Sequence, residues 1–571
     1  MAFKKIIKST FFLVAAFFVA FSFNQAHAQT TNEISFNVDK NFDLSQRTQV
    51  QAVLVKTEPN LYFYVEKSWW DGQTFQQQEA DLADLDKLSS EFDLKIYPNL
   101  TSIFGSEWRP GVDGDTKMTV LFQSMNQGMG GYFRQNDEYV KLQVPDSNER
   151  EMMYISLSYI NNPSELKEVL AHEFMHMIIF NQKNRLQDVQ EDQWLDEAIS
   201  DYTSTVLGYD NNYAGSNLQS RVYDFVQSPS NSLVEFLNSK YDFASVHMFI
   251  SYLVDHYGIG VLSDIVKSKD TGITAINDAL VKNGFTDDFS QVFTNWTIAV
   301  ALNDCTQDTK YCYLNKNLSS IKISPTLNFL PTSGDSSLSV TNATKNWAGN
   351  WQKIIGGNGE LKLSFESLSG LDFKVPYIIF ASDGTYSINY IKLDSSQKGA
   401  IDIKNFGTNY ISLILIPSLQ SKTSDFDGFE FTYPYSFKAT ITGNTLTGGD
   451  TALIQQLLNQ IASLTKQLAD LQTLADQKGT SARSCVLTEN MTVGMRDGQI
   501  ACLQQFLKSQ GVDVYPEGLV TGYFGSLTTQ AVVRFQEKYK SEILTPLGLS
   551  YGTGYVGSAT RVKINQLMGS Q

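Results

Sequence analysis

Apolar residues recur at three- and four-residue spacing through residues 165–179, which read ELKEVLAHEFMHMII. This spacing is typical of one face of an α-helix, and Pro163-Ser164 is a helix start signal. A polar break follows, and residues 194–201 (WLDEAISD) form a second amphipathic stretch. The pattern therefore predicts two helices joined by a loop, which can fold back on each other as a hairpin.

The first predicted helix carries His172, Glu173 and His176. Residues four apart share a helix face, so both imidazoles can bind one ion while Glu173 reaches a metal-bound water. Glu197, on the second helix, is the candidate third ligand. Two imidazoles, a third protein ligand and an open position make a hydrolytic zinc site. Asp201 lies on the face of Glu197 and is predicted to accept the ring N–H of a ligand histidine.

A pair of histidines four residues apart also arises by chance in large proteins. The downstream Glu-x-x-x-Asp favours the metal interpretation. So does the scarcity of histidine, because the whole chain has only five.

The segments HEFMHMIIFN and WLDEAISDY resemble the gluzincin, or thermolysin-like, metallopeptidases, and more narrowly the hyicolysin family of secreted metallopeptidases. This resemblance implies a zinc-dependent endopeptidase with a thermolysin-like catalytic domain, with Glu173 as general base and proteins or peptides as substrates. Asp196 and Ala198 stand where that family usually has Asn and Gly. Neither is a metal ligand, so the departure concerns substrate positioning and leaves the zinc assignment intact.

The same resemblance implies two further features of the catalytic domain. Residues 130–133 (GGYF) are expected to form a flexible loop ahead of a possible edge strand, and in the gluzincins such a strand before the zinc helix holds the substrate in extended form. A Tyr or His from the later helical region would stabilise the oxyanion of the tetrahedral intermediate. Tyr241 is the residue chosen here, His247 is a second candidate, and His256 and Tyr257 are less favoured. Packing in the core is the alternative interpretation for each of these four residues.

The N-terminus has the features of a signal peptide over residues 1–28. Lys4, Lys5 and Lys8 precede an apolar run, and Ala26-His27-Ala28 is a small-residue cleavage site. A membrane anchor is the alternative, but the run is short for a bilayer span. We therefore expect a secreted chain that begins at Gln29, and we leave open whether residues 29–50 are a pro-segment.

The net charge of −16 argues against nucleic acid as a partner, because phosphate binding needs a basic surface. No later segment is long and apolar enough to span a membrane. Loss of the three leader lysines would make the mature chain still more acidic.

A chain of 571 residues is expected to contain several domains. The predicted fold class is multidomain α+β, and short apolar stretches between polar turns predict a β-sandwich after the catalytic domain. A heptad pattern of about three repeats follows, for which a coiled-coil dimer and a lone helical spacer both stay open. The predicted parts are a signal peptide (1–28), a metallopeptidase domain (29–320), a β-sandwich (325–445), a helical or coiled-coil linker (450–478) and a C-terminal module (484–571).

The C-terminal module contains LQQFL (503–507), TGYFG (521–525) and AVVRFQ (531–536). This pattern resembles the peptidoglycan-binding domain of cell-wall hydrolases, a small three-helix module. The resemblance implies the cell wall as a partner, although similar modules also serve as docking units. The residues expected to form its core are Leu503, Phe506, Val532 and Phe535.

The four cysteines form two local pairs, Cys305 with Cys312 and Cys485 with Cys502. In an exported protein two short-range disulfides are the natural interpretation. A second metal site is disfavoured because no histidine lies near either pair. A weak calcium signal, Asp113-Gly114-Asp115, lacks the other positions of a calcium loop, so a plain polar turn is favoured.

Three functions follow from these patterns. The first is a secreted zinc endopeptidase that is held near the cell wall by its C-terminal module. The second is a murein peptidase that uses the same zinc chemistry on peptidoglycan cross-links. The third is a catalytically inactive wall-binding or adhesion protein, against which the intact Glu173 and Asp201 argue. Cleavage specificity and oligomeric state are not encoded in any of these patterns.

Overall fold

The computed structural model describes residues 33–426, 428–443 and 486–569, apart from short gaps at 493–494, 496–497, 517, 519, 521, 523, 548 and 550. The predicted signal peptide, the helical linker 450–478 and Cys485 lie outside the described residues. Among the helices of the described ranges, none combines the length and apolar character needed to cross a membrane.

The chain divides into two compact units. The first comprises residues up to 98 together with 108–177, and the second comprises 99–107 together with the chain from 178 onward. The five-part division expected from the sequence stays a prediction. The fold class is confirmed at the level of a multidomain chain with mixed α and β structure.

The first unit is built on a mixed sheet. Its six described strands are β1 (Glu33–Asn37), β2 (Gln49–Thr57), β3 (Leu61–Glu66), β4 (Met118–Gln123), β5 (Gly131–Phe133) and β6 (Met152–Ser156). The spatial order is β1-β2-β3-β4-β6-β5, with β3, β4 and β6 parallel and the outer strands antiparallel. All residues of β4 and β6 are buried, which matches their nearly continuous apolar sequences. The short strand β5 lies at one edge of the sheet, so residues 131–133, which were expected to form a loop, are themselves the edge strand.

Helices α1 (Lys67–Asp71) and α2 (Phe75–Glu91) belong to this unit, and α4 (Pro163–Ile179) belongs to it up to Met177. Helix α3 (Tyr97–Phe104) passes into the second unit at Asn99. The apolar face of α4 is buried, as its sequence period predicts. Phe174 on that face packs against the rings of Phe92 and Tyr97, with ring centres 5.0 and 5.6 Å apart. Aromatic packing on one side of α4 thus fixes which face of the helix is turned away from the core.

Helix α2 begins at Phe75 and ends at Glu91. Thr74 forms a capping box with Gln77, in which each side chain bonds to the other residue's backbone N–H. Helical structure then continues through Phe92–Ile96 into α3. The first turn of α2 has no apolar face, because Phe75 is 74% exposed and polar residues follow it.

The second unit opens with helices α5 (Gln193–Asp201), α6 (Thr203–Val206), α7 (Asn217–Gln227), α8 (Lys240–Tyr257), α9 (Ile259–Val266), α10 (Gly272–Lys282) and α11 (Phe289–Leu302). Their interior is aromatic around α11. The buried ring of Trp347, from the β-rich region that follows, lies 4.6 Å from Phe289 and 5.3 Å from Phe293 between ring centres. Trp351 donates from Nε1 to the carbonyl of Thr297. The β-rich region is thereby anchored on α11.

This β-rich region contains β7 (Thr326–Leu330), β8 (Ser336–Thr344), β9 (Gln352–Gly356), β10 (Gly359–Ser367), β11 (Phe373–Lys374), β12 (Pro376–Ala381), β13 (Tyr386–Tyr390), β14 (Lys398–Phe406), β15 (Tyr410–Leu415), β16 (Ser418–Leu419) and β17 (Tyr433–Gly443). One group runs β14-β10-β17-β8, and the other runs β13-β12-β15-β9-β7. A single pair, Phe406 with Tyr410, joins the two groups. Buried side chains from both groups form one hydrophobic core. The β-sandwich expected over residues 325–445 stays a prediction.

The C-terminal module has helices α12 (Gly498–Ser509), α13 (Ser526–Lys538), α14 (Lys540–Ile543) and α15 (Ser558–Gly569). Three are long, and α14 is a single turn. The core prediction is confirmed, because Leu503, Phe506, Val532 and Phe535 are all buried in one cluster.

Candidate metal centre

Helix α4 places His172 and His176 on one face, four residues apart. Their Nε2 atoms lie 3.0 Å apart, and the two rings are inclined at 82° to each other. Both side chains are partly buried. Two imidazole nitrogens therefore converge on one point beside the helix, as expected from the i, i+4 spacing.

The third predicted ligand is Glu197, on α5. One ligand atom from each of His172, His176 and Glu197 lies within 4.8 Å of the other two. Two neutral imidazoles and one carboxylate are the donor set of a hydrolytic zinc site that keeps a position open for water or substrate. The residues present thus fit the metal implied by the sequence.

The position of α5 follows from its own amphipathic sequence. Trp194, Leu195, Ala198 and Ile199 are buried, and the helix packs against α8. Glu197 lies between these buried residues along α5. Burial of the hydrophobic face therefore fixes the direction in which the Glu197 side chain leaves the helix.

Asp201 ends α5 in a network of buried polar groups. It accepts hydrogen bonds from Arg221 Nε at 2.9 Å and Nη2 at 2.6 Å, and from His247 Nδ1 at 2.7 Å. Burial alone would raise the pKa of the Asp201 carboxyl, but the charge of Arg221 and the His247 hydrogen bond hold that pKa well below its usual range. Asp201 is therefore a carboxylate that ties α5 to α7 and α8.

The expected partner of Asp201 was a zinc-ligand histidine. The ring that shares a hydrogen bond with it here is that of His247, which comes from α8. Because a carboxylate only accepts, the shared hydrogen belongs to His247 Nδ1. Asp201 thus sets the tautomer of a histidine, and that histidine is one of the candidates considered for the oxyanion donor.

The candidate general base, Glu173, is 4% exposed. It faces the edge strand β5, where Gly131 leaves it room. A Cβ atom at Gly131 would lie 2.9 Å from Glu173 Oε1 and 2.6 Å from the carbonyl oxygen of Tyr154. The backbone of β5 can pass this close to Glu173 only because residue 131 has no side chain.

The other oxyanion candidates lie along α8. Tyr241 is half-buried in the first turn, with the Lys240 ammonium 5.0 Å from its ring centre. His256 Nε2 is 2.9 Å from the Cys312 carbonyl, and the Tyr257 hydroxyl donates to Asp287 at 2.7 Å. The polar groups of His256 and Tyr257 thus form hydrogen bonds within the fold, which matches the core-packing interpretation of these two residues. The role of Tyr241 as oxyanion donor stays a prediction.

A disulfide joins Cys305 and Cys312, as expected. Cys502 is also disulfide-bonded. The Asp113–Asp115 segment forms a polar turn, in which Asp113 Oδ1 accepts from the Asp115 amide at 2.8 Å. Asp115 Oδ2 accepts from the Tyr62 hydroxyl at 3.0 Å.

Two residues beside this centre were not found from the sequence. Arg221 is a lone arginine on an ordinary amphipathic helix, so nothing in its surroundings along the chain marked it. Gly131 belongs to a Gly-Gly pair that the sequence pattern places in a loop, although glycine at a strand can also mark close backbone approach.

Comparisons with known proteins support both resemblances. A family model described as "Putative peptidoglycan binding domain" matches residues 496–564. The chain is 29% identical over 197 residues to the "Neutral metalloprotease ShpI" of Staphylococcus hyicus, which covers 32% of this chain. The chain spans only 39% of the length of that relative. The molecule thus combines likeness to a metalloprotease with a C-terminal module of the peptidoglycan-binding type.

Solved structures with local likeness include the Yersinia pseudotuberculosis-derived mitogen, at 14% identity, 20% of this chain and 91% of the other. They also include the lysozyme inhibitor PliG of Aeromonas hydrophila, at 9% identity, 20% of this chain and 98% of the other. Both have a TM-score of 0.14. The thermolysin-like catalytic fold stays a prediction.

Proposed function

We propose that this protein is a secreted zinc endopeptidase that hydrolyses peptide bonds of proteins and is held near the cell wall by its C-terminal module. The observation that carries the proposal is the convergence of His172, His176 and Glu197 within 4.8 Å beside the buried Glu173. The similarity to a neutral metalloprotease over a third of the chain supports the same reaction class.

His172, His176 and Glu197 would hold the metal. A bound zinc ion would supply Lewis acidity, which polarises a carbonyl group and acidifies a water molecule. The hydrogen bonds from Arg221 and His247 to Asp201 hold the end of α5 and so keep Glu197 in position.

Glu173 acts as general base and then as general acid. Its carboxylate accepts a proton from the attacking water and delivers it to the leaving amine. Its low exposure excludes bulk water from this proton transfer. Tyr241 is proposed to donate a hydrogen bond to the developing oxyanion.

The edge strand β5 is proposed to bind the substrate. An edge strand offers unpaired N–H and C=O groups to an extended peptide, which adds to the sheet as a further strand. Gly131 of β5 lies directly beside Glu173. A peptide bound along β5 would therefore present its backbone to this base.

The test is cleavage of unfolded casein by the zinc-loaded chain, with the Glu173→Gln variant alongside. We expect the variant to bind zinc as well as the parent and to lose activity by about 10²–10⁴-fold, since only the proton transfer is removed. Metal analysis by plasma mass spectrometry gives the zinc content. Cleavage by the variant at the parent rate would contradict the role of Glu173.

Glu197→Ala tests the third ligand. Loss of one carboxylate from a three-ligand set should lower zinc affinity strongly, and competition with a chromogenic chelator measures it. An unchanged affinity would exclude Glu197 from the metal centre.

A second function, hydrolysis of peptidoglycan cross-links, is favoured by the family match at residues 496–564. Purified sacculi digested beside casein separate the two functions. Release of soluble muropeptides without casein cleavage would favour the murein peptidase, and no cleavage of either substrate would favour an inactive wall-binding protein.

A further inference from the structure

Strand β5, which is proposed to bind the substrate, is short. It comprises Gly131–Phe133 and, among the described strands, pairs with β6 alone. An edge strand of this length forms few ladder hydrogen bonds, so side-chain packing contributes much of what holds it in place. Tyr132, its central residue, is only 6% exposed. Because successive side chains of a strand point to opposite faces, Tyr132 leaves β5 on the face opposite Glu173, which lies on the Gly131 side.

The Tyr132 side chain is held by two different parts of the chain. Its ring stacks on that of Tyr154, its cross-strand partner on β6, with ring centres 4.3 Å apart and planes inclined at 8°. It also stacks on the ring of Phe42, with ring centres 4.7 Å apart and planes inclined at 19°. The Tyr132 hydroxyl accepts a hydrogen bond from the Asp39 amide at 3.2 Å. Phe42 and Asp39 belong to the β1–β2 loop (residues 38–48), so this loop contacts both the ring and the hydroxyl of Tyr132.

The β1–β2 loop is itself fixed to the sheet. The Phe42 carbonyl accepts from the Asn126 amide at 2.9 Å, and the Leu44 amide donates to the Ser124 carbonyl at 3.1 Å. Asn126 Nδ2 donates to the Asn41 carbonyl at 2.8 Å. Ser124 directly follows β4, which is an interior strand of the sheet. The position of the Phe42 ring is thus determined by backbone hydrogen bonds to the end of an interior strand.

The chain before β2 is part of the hydrophobic core of the first unit. Phe36 of β1 is 1% exposed and Val38 of the β1–β2 loop is 5% exposed, and both belong to the cluster that contains Tyr132. Phe42 packs against the same cluster. A removable pro-segment leaves the core of the enzyme closed when it departs. Removal of residues 33–48 would instead uncover apolar side chains and separate the Tyr132 ring from Phe42.

We propose that Phe42 and Tyr132 are positioning residues of the peptidase. The inference rests on the proposed function, because it concerns the strand to which an extended substrate would add. The stacked rings hold β5 from the face opposite Glu173 and so keep the Gly131 backbone beside that carboxylate. The active enzyme therefore retains residues 38–48, which do not act as a removable pro-segment.

The experiment is steady-state cleavage of fluorescein-labelled casein by the zinc-loaded full-length chain and by its Phe42→Ala variant. We expect the variant to have an apparent KM at least about fivefold higher and a kcat within about threefold of the parent, because a loosened β5 has to be ordered when substrate binds. Zinc content should not change, since His172, His176 and Glu197 are untouched. Hydrogen exchange, followed by mass spectrometry, should become faster in the peptide that contains residues 131–133.

Two variants separate positioning of β5 from a general loss of packing. Phe42→Tyr keeps the ring and should return KM to within about twofold of the parent. Phe75→Ala removes a phenylalanine of the same unit that is 74% exposed, and it should leave KM, kcat and the exchange of residues 131–133 unchanged. If Phe42→Ala loses the circular dichroism spectrum of the parent, Phe42→Leu is measured instead. That variant keeps an apolar side chain without the ring and should also raise KM.

Retention of the β1–β2 loop is tested on the active preparation itself. Species separated by ion exchange are assayed with casein and weighed by intact-mass spectrometry. Each active species should still contain Phe42, and an active species that begins after Phe42 would overturn the proposal.

The proposal is also overturned if Phe42→Ala retains the KM of the parent, whatever its exchange rates. A fall in kcat at unchanged KM would likewise exclude a role through substrate binding at β5. A parent chain that cleaves neither casein nor sacculi contradicts the proposed function and this inference with it. An active parent with an unaltered Phe42→Ala variant contradicts this inference alone, so the two failures are distinguishable.

Discussion

Gly131 is the residue at which β5 comes closest to the candidate base. We predict that Gly131→Ala lowers kcat/KM for casein by at least about tenfold, because the added methyl group displaces either the Glu173 carboxylate or the β5 backbone. Zinc content should not change, since the three ligands are untouched. The measurement is casein cleavage together with metal analysis of the same preparation.

The neighbouring Gly130 provides the control. A methyl group there would lie 3.2 Å from Val169 Cγ2, a tight contact with a partly buried side chain, and it does not meet Glu173. Gly130→Ala should therefore retain most of the activity. Equal rates for both variants would show that the space beside Glu173 does not matter for turnover.

An ion-pair network joins strand β3 to the segment that precedes β2. Arg47 binds Glu66 through Nη1–Oε1 at 2.7 Å and Nη2–Oε2 at 3.0 Å, and it also binds Asp43. Burial alone would raise the pKa of Glu66, but the hydrogen bonds from Arg47, the Ser124 amide and Ser68 lower it to about 2. The ionised form is thus favoured by the folded state.

The sign of the pH dependence follows from this lowered pKa. The Glu66 contribution to the free energy of unfolding is fully present above the ordinary pKa of about 4.5 and is lost as the pH falls towards 2. We predict that Glu66→Gln costs about 2 kcal/mol near pH 7, because Arg47 is about a third exposed and solvent screens part of the interaction. The difference from the parent should shrink between pH 4.5 and 2.

Urea denaturation at pH 7, 4.5 and 3 measures this difference. Glu33→Gln removes an exposed partner of Lys67 and should change the free energy of unfolding by less than about 0.5 kcal/mol at every pH. A Glu66→Gln penalty that is constant from pH 7 to 3 would contradict the assigned pKa.

The elements themselves show what local sequence can predict. The period of α4 predicted both the helix and the convergence of His172 with His176, because i, i+4 spacing is local geometry. The partner of Asp201 was not predictable in this way, since His247 lies 46 residues further along the chain and is brought in by packing of α5 on α8. Local patterns thus identified the helix that carries the candidate metal ligands His172 and His176, whereas long-range packing determined the polar groups around it.

At the scale of the whole molecule, the C-terminal module has a hydrophobic core of its own. Its core cluster is formed by residues between Leu487 and Ile564, with Leu567 and Met568 packed against it. A domain with its own core can fold alone, so the module should be separable from the residues proposed to cleave peptides. This separation allows localisation and catalysis to be tested independently.

We predict that a chain ending at Gly443 cleaves casein within about threefold of the full chain but no longer sediments with purified sacculi. The physical reason is that His172, Glu173, His176 and Glu197 all precede this point, while the residues matched as peptidoglycan-binding all follow it. Residues 484–571 alone should show the reverse, sedimenting with sacculi without cleaving casein. Sedimentation of the shortened chain at the level of the full chain would place wall binding elsewhere in the molecule. The shortened chain could also lose sacculus digestion while it retains casein cleavage. The module would then act by raising the local concentration of peptide cross-links at the catalytic site.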